Sequence, residues 1–382
     1  MKVAVIVITK DRPLQVERLI TSIFHSEIPS LSLVLIDDSS DENFESIENI
    51  LLSYGDICEH KSSLEASREV AGVLKQIDLA RAQRSFVETC VGLKSPFVDF
   101  AESLSKIVLF RESLYAILSQ SFSPYSTARN LGIYCACRTF DPDITVFLDD
   151  DCYLKSPERL RAALQLIGKK IDGQEIVAIS GLYEDLCLSK RKGRCALEEP
   201  TPTSILTGMN SFLERSFLTD QQQRLALMPY HTLGGALILS KRVFVSLPFD
   251  PFIPRGEDHA YCVDLKDRYG RDFAIVRDNL FVVQHDKHLE VSRNLQEANT
   301  LRDIFRFVYL RFKVGHNFIP YFTIRWAANA IIHMFLETRK SKQRILELSA
   351  LLFLARNYAK RNAVKYSEIT TTWESFLKRI VG

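Results

Sequence analysis

Three consecutive carboxylates, Asp149, Asp150 and Asp151, follow the apolar run Ile144–Leu148 without a break. Like charges this close repel, so a folded site that holds them needs a counter-charge. A hard divalent cation is the usual answer. Mg²⁺ and Mn²⁺ take oxygen ligands and often bind through one or two carboxylates plus substrate phosphates. The triplet can equally be a polar loop whose acids are solvated or cap the next helix, and on these residues alone both readings stay open. Paired glycines, Gly234 and Gly235, head a second apolar run, Ala236–Leu239. Glycine there means that backbone comes close to something.

The elements that must position these groups follow from the apolar pattern. Val3–Ile8 is a continuous β-branched run, as expected of a buried parallel strand. Pro13 suits the first turn of the helix after it, and Leu14, Leu19, Ile20, Ile23 and Phe24 recur at near-helical spacing. Ser32–Ile36 reads as a second strand, closed by Asp37 and Asp38. Strand, helix and strand with acids at the carboxyl ends begin a doubly wound sheet, and ligands bind outside those ends.

Residues 42–121 are helical in composition and are expected to form an insertion of two to four helices. A helix opens at 125–133 with Ser126 or Thr127 as its cap. The Ile144–Leu148 strand follows, then a helix over 157–167 and a strand over 176–180. Residues 190–202 read as a loop. Residues 273–276 and 280–283 read as two short strands. From 294 onward the chain is helix-like, with an apolar face among many Arg and Lys.

The 382 residues, 46% of them hydrophobic, suffice for one large domain plus an appendage. Their formal charge of +2 is unevenly spread. Residues 291–382 hold 16 Lys and Arg against 6 Asp and Glu, leaving 33 against 41 in the first 290. A basic tail on an acidic body suits phosphates, an anionic lipid surface or an acidic partner, or is simply a set of solvated helix faces. The eight cysteines form no CxxC pair and no disulfide-like spacing, so reduced thiols in a cytoplasmic protein are expected. No apolar stretch approaches the roughly 20 residues of a membrane span, and the first residues are too short an apolar run for a secretory signal.

In this order the segments VIVITKDRP, LIDDSSDE, STARNLGI, FLDDD, LGGALILSKRVF, GEDHAYCVDL and QHDKH resemble the family-two glycosyltransferases. These are of the GT-A fold and move a sugar from a nucleotide-diphosphate donor. The resemblance covers most of residues 1–290 and none of the tail. It implies an α/β fold, a doubly wound, Rossmann-like mixed sheet flanked by helices, with the insertion at about 42–121 and a basic helical extension at 291–382.

The resemblance also implies roles. Thr9, Asp11 and Asp38 match positions that hold the nucleoside, and Arg129 one near the base and diphosphate. Asp149 and Asp151 fall on the two acids of the DxD pattern, with Asp150 between them. Asp151 would ligate Mn²⁺ or Mg²⁺, which neutralises the departing diphosphate as a Lewis acid. His285, or His288 three residues on, matches a histidine that serves as a further metal ligand, and imidazole suits Mn²⁺ better than Mg²⁺. Gly234 and Gly235 match the approach of backbone to the donor sugar. Asp258 matches the general base of inverting members, which takes the acceptor hydroxyl's proton, with Glu257 orienting. The pair also fits a plain helix N-terminus favoured by the macrodipole. His259-Ala260-Tyr261 departs from the family pattern, which leaves acceptor geometry and stereochemistry open.

The expected partners are a nucleotide-sugar donor, with a UDP-sugar favoured, and a saccharide, lipid-linked or protein acceptor in surface polysaccharide or glycoconjugate synthesis, with no nucleic acid. The tail, with Phe305, Phe307, Tyr309, Phe312 and Phe318 among its basic residues, has three candidate uses. It could contact the cytoplasmic face of a membrane, cover the acceptor cleft, or form a homodimer interface. Three rival readings remain: a nucleotidyltransferase, a non-catalytic nucleotide-sugar-binding scaffold of the same fold, and a metal-dependent hydrolase. ITKDRP is not the Gly-rich, Lys-containing loop that a nucleotidyltransferase needs.

Overall fold

Alternate residues of the first strand point into two different cores, which is why its sequence is apolar throughout. Val3, Val5 and Val7 pack on one side of the sheet, Ala4 and Ile6 on the other. The computed structural model describes residues 1–37, 39–52, 58–62, 125–185, 224–227, 232–253, 256–270, 272–285, 306, 308–314 and 341–381.

In chain order the elements are β1 (Val3–Thr9), α1 (Pro13–Phe24), β2 (Leu31–Asp37), α2 (Asp41–Leu52), β3 (Cys58–Ser62), α3 (Tyr125–Thr139), β4 (Ile144–Asp149), β5 (Cys152–Leu154), α4 (Pro157–Leu164), β6 (Lys170–Ile171), β7 (Gln174–Asp185), β8 (Leu225–Leu227), β9 (Ala236–Ser240), α5 (Lys241–Phe244), α6 (Glu257–Tyr269), β10 (Phe273–His285) and α7 (Ser341–Val381). Among the described residues they build one mixed sheet of ten strands, with β3-β2-β1-β4-β9-β7-β10-β5 in order and β6 and β8 pairing with β7 and β10.

Strands β1, β2, β3 and β4 run parallel, β9 is antiparallel to both β4 and β7, and β10 is parallel to β7. The carboxyl ends of β1, β2, β4, β7 and β10 therefore share one edge with the glycine-bearing entry to β9. That edge carries the candidate chemistry. Helices α1, α2 and α4 cover one face, while α3, α6, residues 309–310 and α7 cover the other.

The structure departs from expectation in several places. Residues 58–62, inside the span read as helical, form strand β3 beside β2. Parallel pairing holds this polar segment in the sheet, and no apolar alternation announced it. Helix α3 already includes Tyr125, so Ser126 lies within the helix and is no cap. The pair of strands read at 273–283 is one strand, β10, with irregular register between Arg277 and Val282. Helix α4 ends at Leu164, and residues 165–168 continue as turns. The remainder of the expected insertion and the loop at 190–202 lie outside the described residues.

The C-terminal helix does not stand apart. Tyr358, Tyr366 and Trp373 of α7 donate hydrogen bonds to the carbonyls of Phe252, Pro248 and Phe244, at 2.7, 3.0 and 3.0 Å. Trp373 is fully buried, and Tyr309, read as a surface aromatic, is fully buried too. Lys313 donates to Asp250 at 2.7 Å and lies 2.6 Å from Asp264, inside the same core. The apolar face of α7 over 358–377 is thus occupied by the body of the protein rather than presented to a lipid surface. No helix among the described residues is long and apolar enough to cross a membrane.

Candidate active site

All six carboxylate oxygens of the aspartate triplet have a protein partner. Asp149, the last residue of β4, accepts from the Tyr183 hydroxyl at 3.0 Å on Oδ2, and its Oδ1 lies 3.4 Å from Arg129 Nη2. Asp150 accepts from Thr9 Oγ1 at 3.0 Å and from Arg12 Nη1 at 2.8 Å. Asp151 accepts from the same Arg12 nitrogen at 3.1 Å, and its other oxygen lies 3.3 Å from His285 Nε2. The counter-charge that the triplet demands is supplied here by two guanidinium groups, with the His285 imidazole set beside Asp151.

These partners arrive from separate strands. Thr9 ends β1 and Arg12 follows it in the loop before α1. Tyr183 lies near the end of β7, and His285 closes β10. The Tyr183 and His285 rings stack with centroids 4.9 Å apart. The Tyr183 hydroxyl also accepts the Gly235 N–H at 2.9 Å, so one phenol ties β7, β9 and β4 together. A Cβ on Gly235 would lie 2.2 Å from the Asp149 carboxylate and 2.4 Å from that hydroxyl. Gly235 is therefore required by the protein's own side chains.

Arg129, 3% exposed on α3, joins the triplet to a second acid pair. Its Nε donates to Glu257 at 3.0 Å and its Nη1 to the Gly234 carbonyl at 2.9 Å. Burial alone would ease its proton off, but Glu257, Asp149 and Asp258 outweigh that and hold it charged. Arg129, matched in the sequence to a position near the base and diphosphate, is engaged here by Glu257, Gly234 and Asp149. Asp258 accepts the Gly234 N–H and the His259 N–H, both at 2.8 Å. Gly256 precedes the pair in the left-handed region, φ +70°, and a Cβ there would strike the Arg306 guanidinium. The chain thus enters α6 at a turn that only glycine fits.

The electrostatics divide the acids. Burial raises Asp149 despite Arg129, and raises Asp150 to about 6 despite Arg12. Asp151 is also buried, yet His285 and Arg12 hold it below the ordinary carboxylate range. Burial raises Asp258 as well, against hydrogen bonds from His259 and Gly234 and the charge of Arg129. Glu257 is raised by burial against Arg129.

A metal would find three donor types together: the side chains of Asp151, Cys152 and His285 bring an oxygen, a sulfur and a nitrogen within 4.8 Å of one another. Burial, with the three aspartates adding to it, pushes the Cys152 thiol far above its ordinary range, and a thiol is a poor donor for a hard, oxygen-seeking cation. The remaining carboxylate and imidazole suit Mn²⁺.

Of the residues singled out in the sequence, Thr9, Arg129, Asp149, Asp150, Asp151, Gly234, Gly235, Glu257, Asp258 and His285 fall in this one connected network. Asp11 does not. Its carboxylate accepts from Ser40 N–H at 2.8 Å and Asn43 at 3.1 Å, tying the end of β1 to the start of α2. Asp38 and His288 lie outside the described residues. Its neighbour Asp37 is buried and bonded to His60 Nε2 at 2.9 Å. Sequence reasoning passed over Arg12 and Tyr183. A cation one loop away from three adjacent acids was a usable signal for the first, whereas nothing in the sequence marked the second.

No family model matches the chain, and no curated protein matches it. Solved structures do. Glucosyl-3-phosphoglycerate synthase from Mycobacterium tuberculosis, in complex with Mn²⁺, uridine diphosphate and glucosyl-3-phosphoglycerate, is 17% identical over 81% of this chain and 78% of its own, at a TM-score of 0.44. A mannosyltransferase from Pyrobaculum calidifontis, in complex with GDP-Man and Mn²⁺, is 12% identical over 100% of this chain and 85% of its own, at 0.47. Likenesses at this level do not bear on the activity of this chain.

Proposed function

We propose that this chain is a metal-dependent glycosyltransferase of the GT-A type, acting on a nucleotide-diphosphate sugar. One observation carries the reading. A cation-competent carboxylate–imidazole pair, Asp151 with His285, stacks through His285 on Tyr183, and hydrogen bonds run from Tyr183 through Asp149, Arg129 and Gly234 to a second buried carboxylate, Asp258.

Asp151 and His285 would hold Mn²⁺ or Mg²⁺. The ion's contribution is to neutralise charge on the leaving nucleoside diphosphate. Asp150 and Thr9 keep the triplet's backbone turned so that Asp151 meets His285. Asp258 takes the proton of the acceptor hydroxyl as its oxygen bonds to the anomeric carbon and the sugar–phosphate bond breaks. A base needs a pKa raised toward neutrality, and burial moves Asp258 that way. Glu257 is paired with Arg129 and serves to fix that guanidinium, leaving the proton to Asp258. Attack opposite the departing diphosphate makes the outcome inverting.

The test is a thermal-shift screen of UDP- and GDP-sugars with Mn²⁺, repeated on Asp151→Ala, with donor turnover followed in the absence of acceptor. Stabilisation that needs both metal and nucleotide and vanishes in Asp151→Ala supports the reading. Nucleotide binding indifferent to metal and to Asp151 rejects it. Donor turnover to water that is no slower without acceptor than with a saccharide or lipid-linked acceptor added makes the protein a hydrolase.

A further inference from the structure

We propose, on the basis of that transferase reading, that Arg12 is an exchangeable counter-charge. A divalent cation entering the triplet displaces it, and the freed guanidinium re-pairs with the donor's diphosphate. Every oxygen of Asp149, Asp150 and Asp151 has a protein partner, and because Arg12 Nη1 sits between Asp150 and Asp151, a cation drawn to those two acids competes with it for the same place. The partners differ in how easily they leave. Arg129 is 3% exposed and held by three groups, and Thr9 is 2% exposed at a strand end. Arg12 alone of the two guanidinium groups reaches solvent, with 35% of its side chain exposed.

A single nitrogen, Arg12 Nη1, serves Asp150 Oδ1 and Asp151 Oδ2 together. Its departure therefore frees one oxygen on each of two adjacent carboxylates at once, beside the His285 imidazole. Exchanging one positive charge for two favours the cation. A guanidinium released into water loses its charge-assisted bonds, however, so metal alone gains little. A diphosphate arriving with the metal offers the guanidinium a planar anionic partner to which its donor fork is matched. Cation and nucleotide are then coupled through Arg12, each improving the other's affinity by the same factor.

The experiment measures Mn²⁺ affinity directly, by the EPR signal of the free aqueous ion, for the wild type, Arg12→Gln, Arg12→Lys and Asp151→Ala. Each is titrated without nucleotide and with UDP or GDP. Removing the competitor in Arg12→Gln is expected to tighten Mn²⁺ alone by about five- to tenfold. The factor by which nucleotide enhances Mn²⁺ binding should shrink to a similar extent. Arg12→Lys, whose ammonium keeps the charge but lacks the donor fork that would re-pair with the diphosphate, is expected to leave Mn²⁺ alone within about twofold and to shrink its enhancement by nucleotide. It carries the test if the Gln variant fails to fold.

Equal or weaker Mn²⁺ binding in a folded Arg12→Gln would overturn the proposal and make Arg12 a brace for the carboxylates. Undiminished nucleotide coupling would overturn it too. If the wild type and Asp151→Ala bind Mn²⁺ alike, it is the transferase reading that falls. If Asp151 is needed and Arg12→Gln does not tighten, only the exchange is wrong.

Discussion

Arg129 donates to Glu257 at 3.0 Å while its far nitrogen lies 3.4 Å from Asp149, so one buried guanidinium spans the two acid clusters. Removing it leaves the buried Glu257 carboxylate uncompensated, an error that costs about 3–5 kcal/mol, and takes a cation from the partly exposed Asp149. Arg129→Met is therefore expected to lower the stability read from urea unfolding by that much. Arg129→Lys should recover only part, because one ammonium cannot reach Glu257, Asp149 and the Gly234 carbonyl together. A fully stable Arg129→Met would show that the clamp is dispensable.

Gly235→Ala places a methyl where the Asp149 carboxylate and Tyr183 hydroxyl meet. Overpacking of this kind costs about 1–3 kcal/mol, which a domain of this size should survive. The larger effect is expected on function: a folded protein whose Mn²⁺-dependent stabilisation by nucleotide is weakened at least about tenfold, since 1.4 kcal/mol is that factor. Wild-type metal affinity in this variant would remove Tyr183 and Gly235 from the site.

Asp258→Asn keeps the shape of the side chain and one acceptor for the Gly234 and His259 amides but cannot take a proton. Turnover should fall by about 10²–10⁴, while Mn²⁺ and nucleotide binding stay within about twofold. Full activity in this variant would move the base elsewhere, with Glu257 the next residue to test.

Mn²⁺ binding should weaken as pH falls through about 6, where Asp150 takes up its proton. Its carboxyl is raised above the ordinary range, so the charged form is present above about 6 and lost below it, and the proton competes with the cation. Because the His285 ligand also titrates between these limits, affinities at pH 5 and pH 8 are compared in the wild type and Asp150→Asn, and an unchanged profile in the variant would show that Asp150 stands apart from the metal.

Lys313 faces Asp250 and Asp264 in the core beneath the C-terminal helix. Burial raises Asp264 to about 6 even with Lys313 beside it. In Lys313→Met the carboxyl moves higher still, and its ionised form is costly wherever pH exceeds that value. Destabilisation of about 3–5 kcal/mol is therefore expected at pH 8. It should shrink as pH falls toward the unfolded carboxyl's ordinary range, where the folded state gains from taking up a proton. Equal loss at pH 5 and pH 8 would contradict this.

The parts of the fold that could be read in the sequence were those where burial on both faces forces an unbroken apolar run, as in Val3–Ile8 and Ile144–Leu148. The acids that close such runs were equally plain. Strand β3 was hidden because Cys58–Ser62 is polar and gains its place from pairing with β2. The division of β10 into two failed because the irregular register around 277–282 interrupts the pattern without interrupting the strand. Site residues were legible where several acids or glycines crowd together. Single residues that act through reach were not, and both Arg12 and Tyr183 are of this kind. Arg129 was recognisable as important, but its partners, 20 to 128 positions away, could not be read from its neighbours.

The segment leading into α6 is anchored by hydroxyls and an indole that the ribosome adds more than a hundred residues after it. The segment before Asp258 therefore gains all three of these anchors only once Trp373 has been made. A prematurely terminated product would carry every acid of the site and still lack the scaffold that aims them.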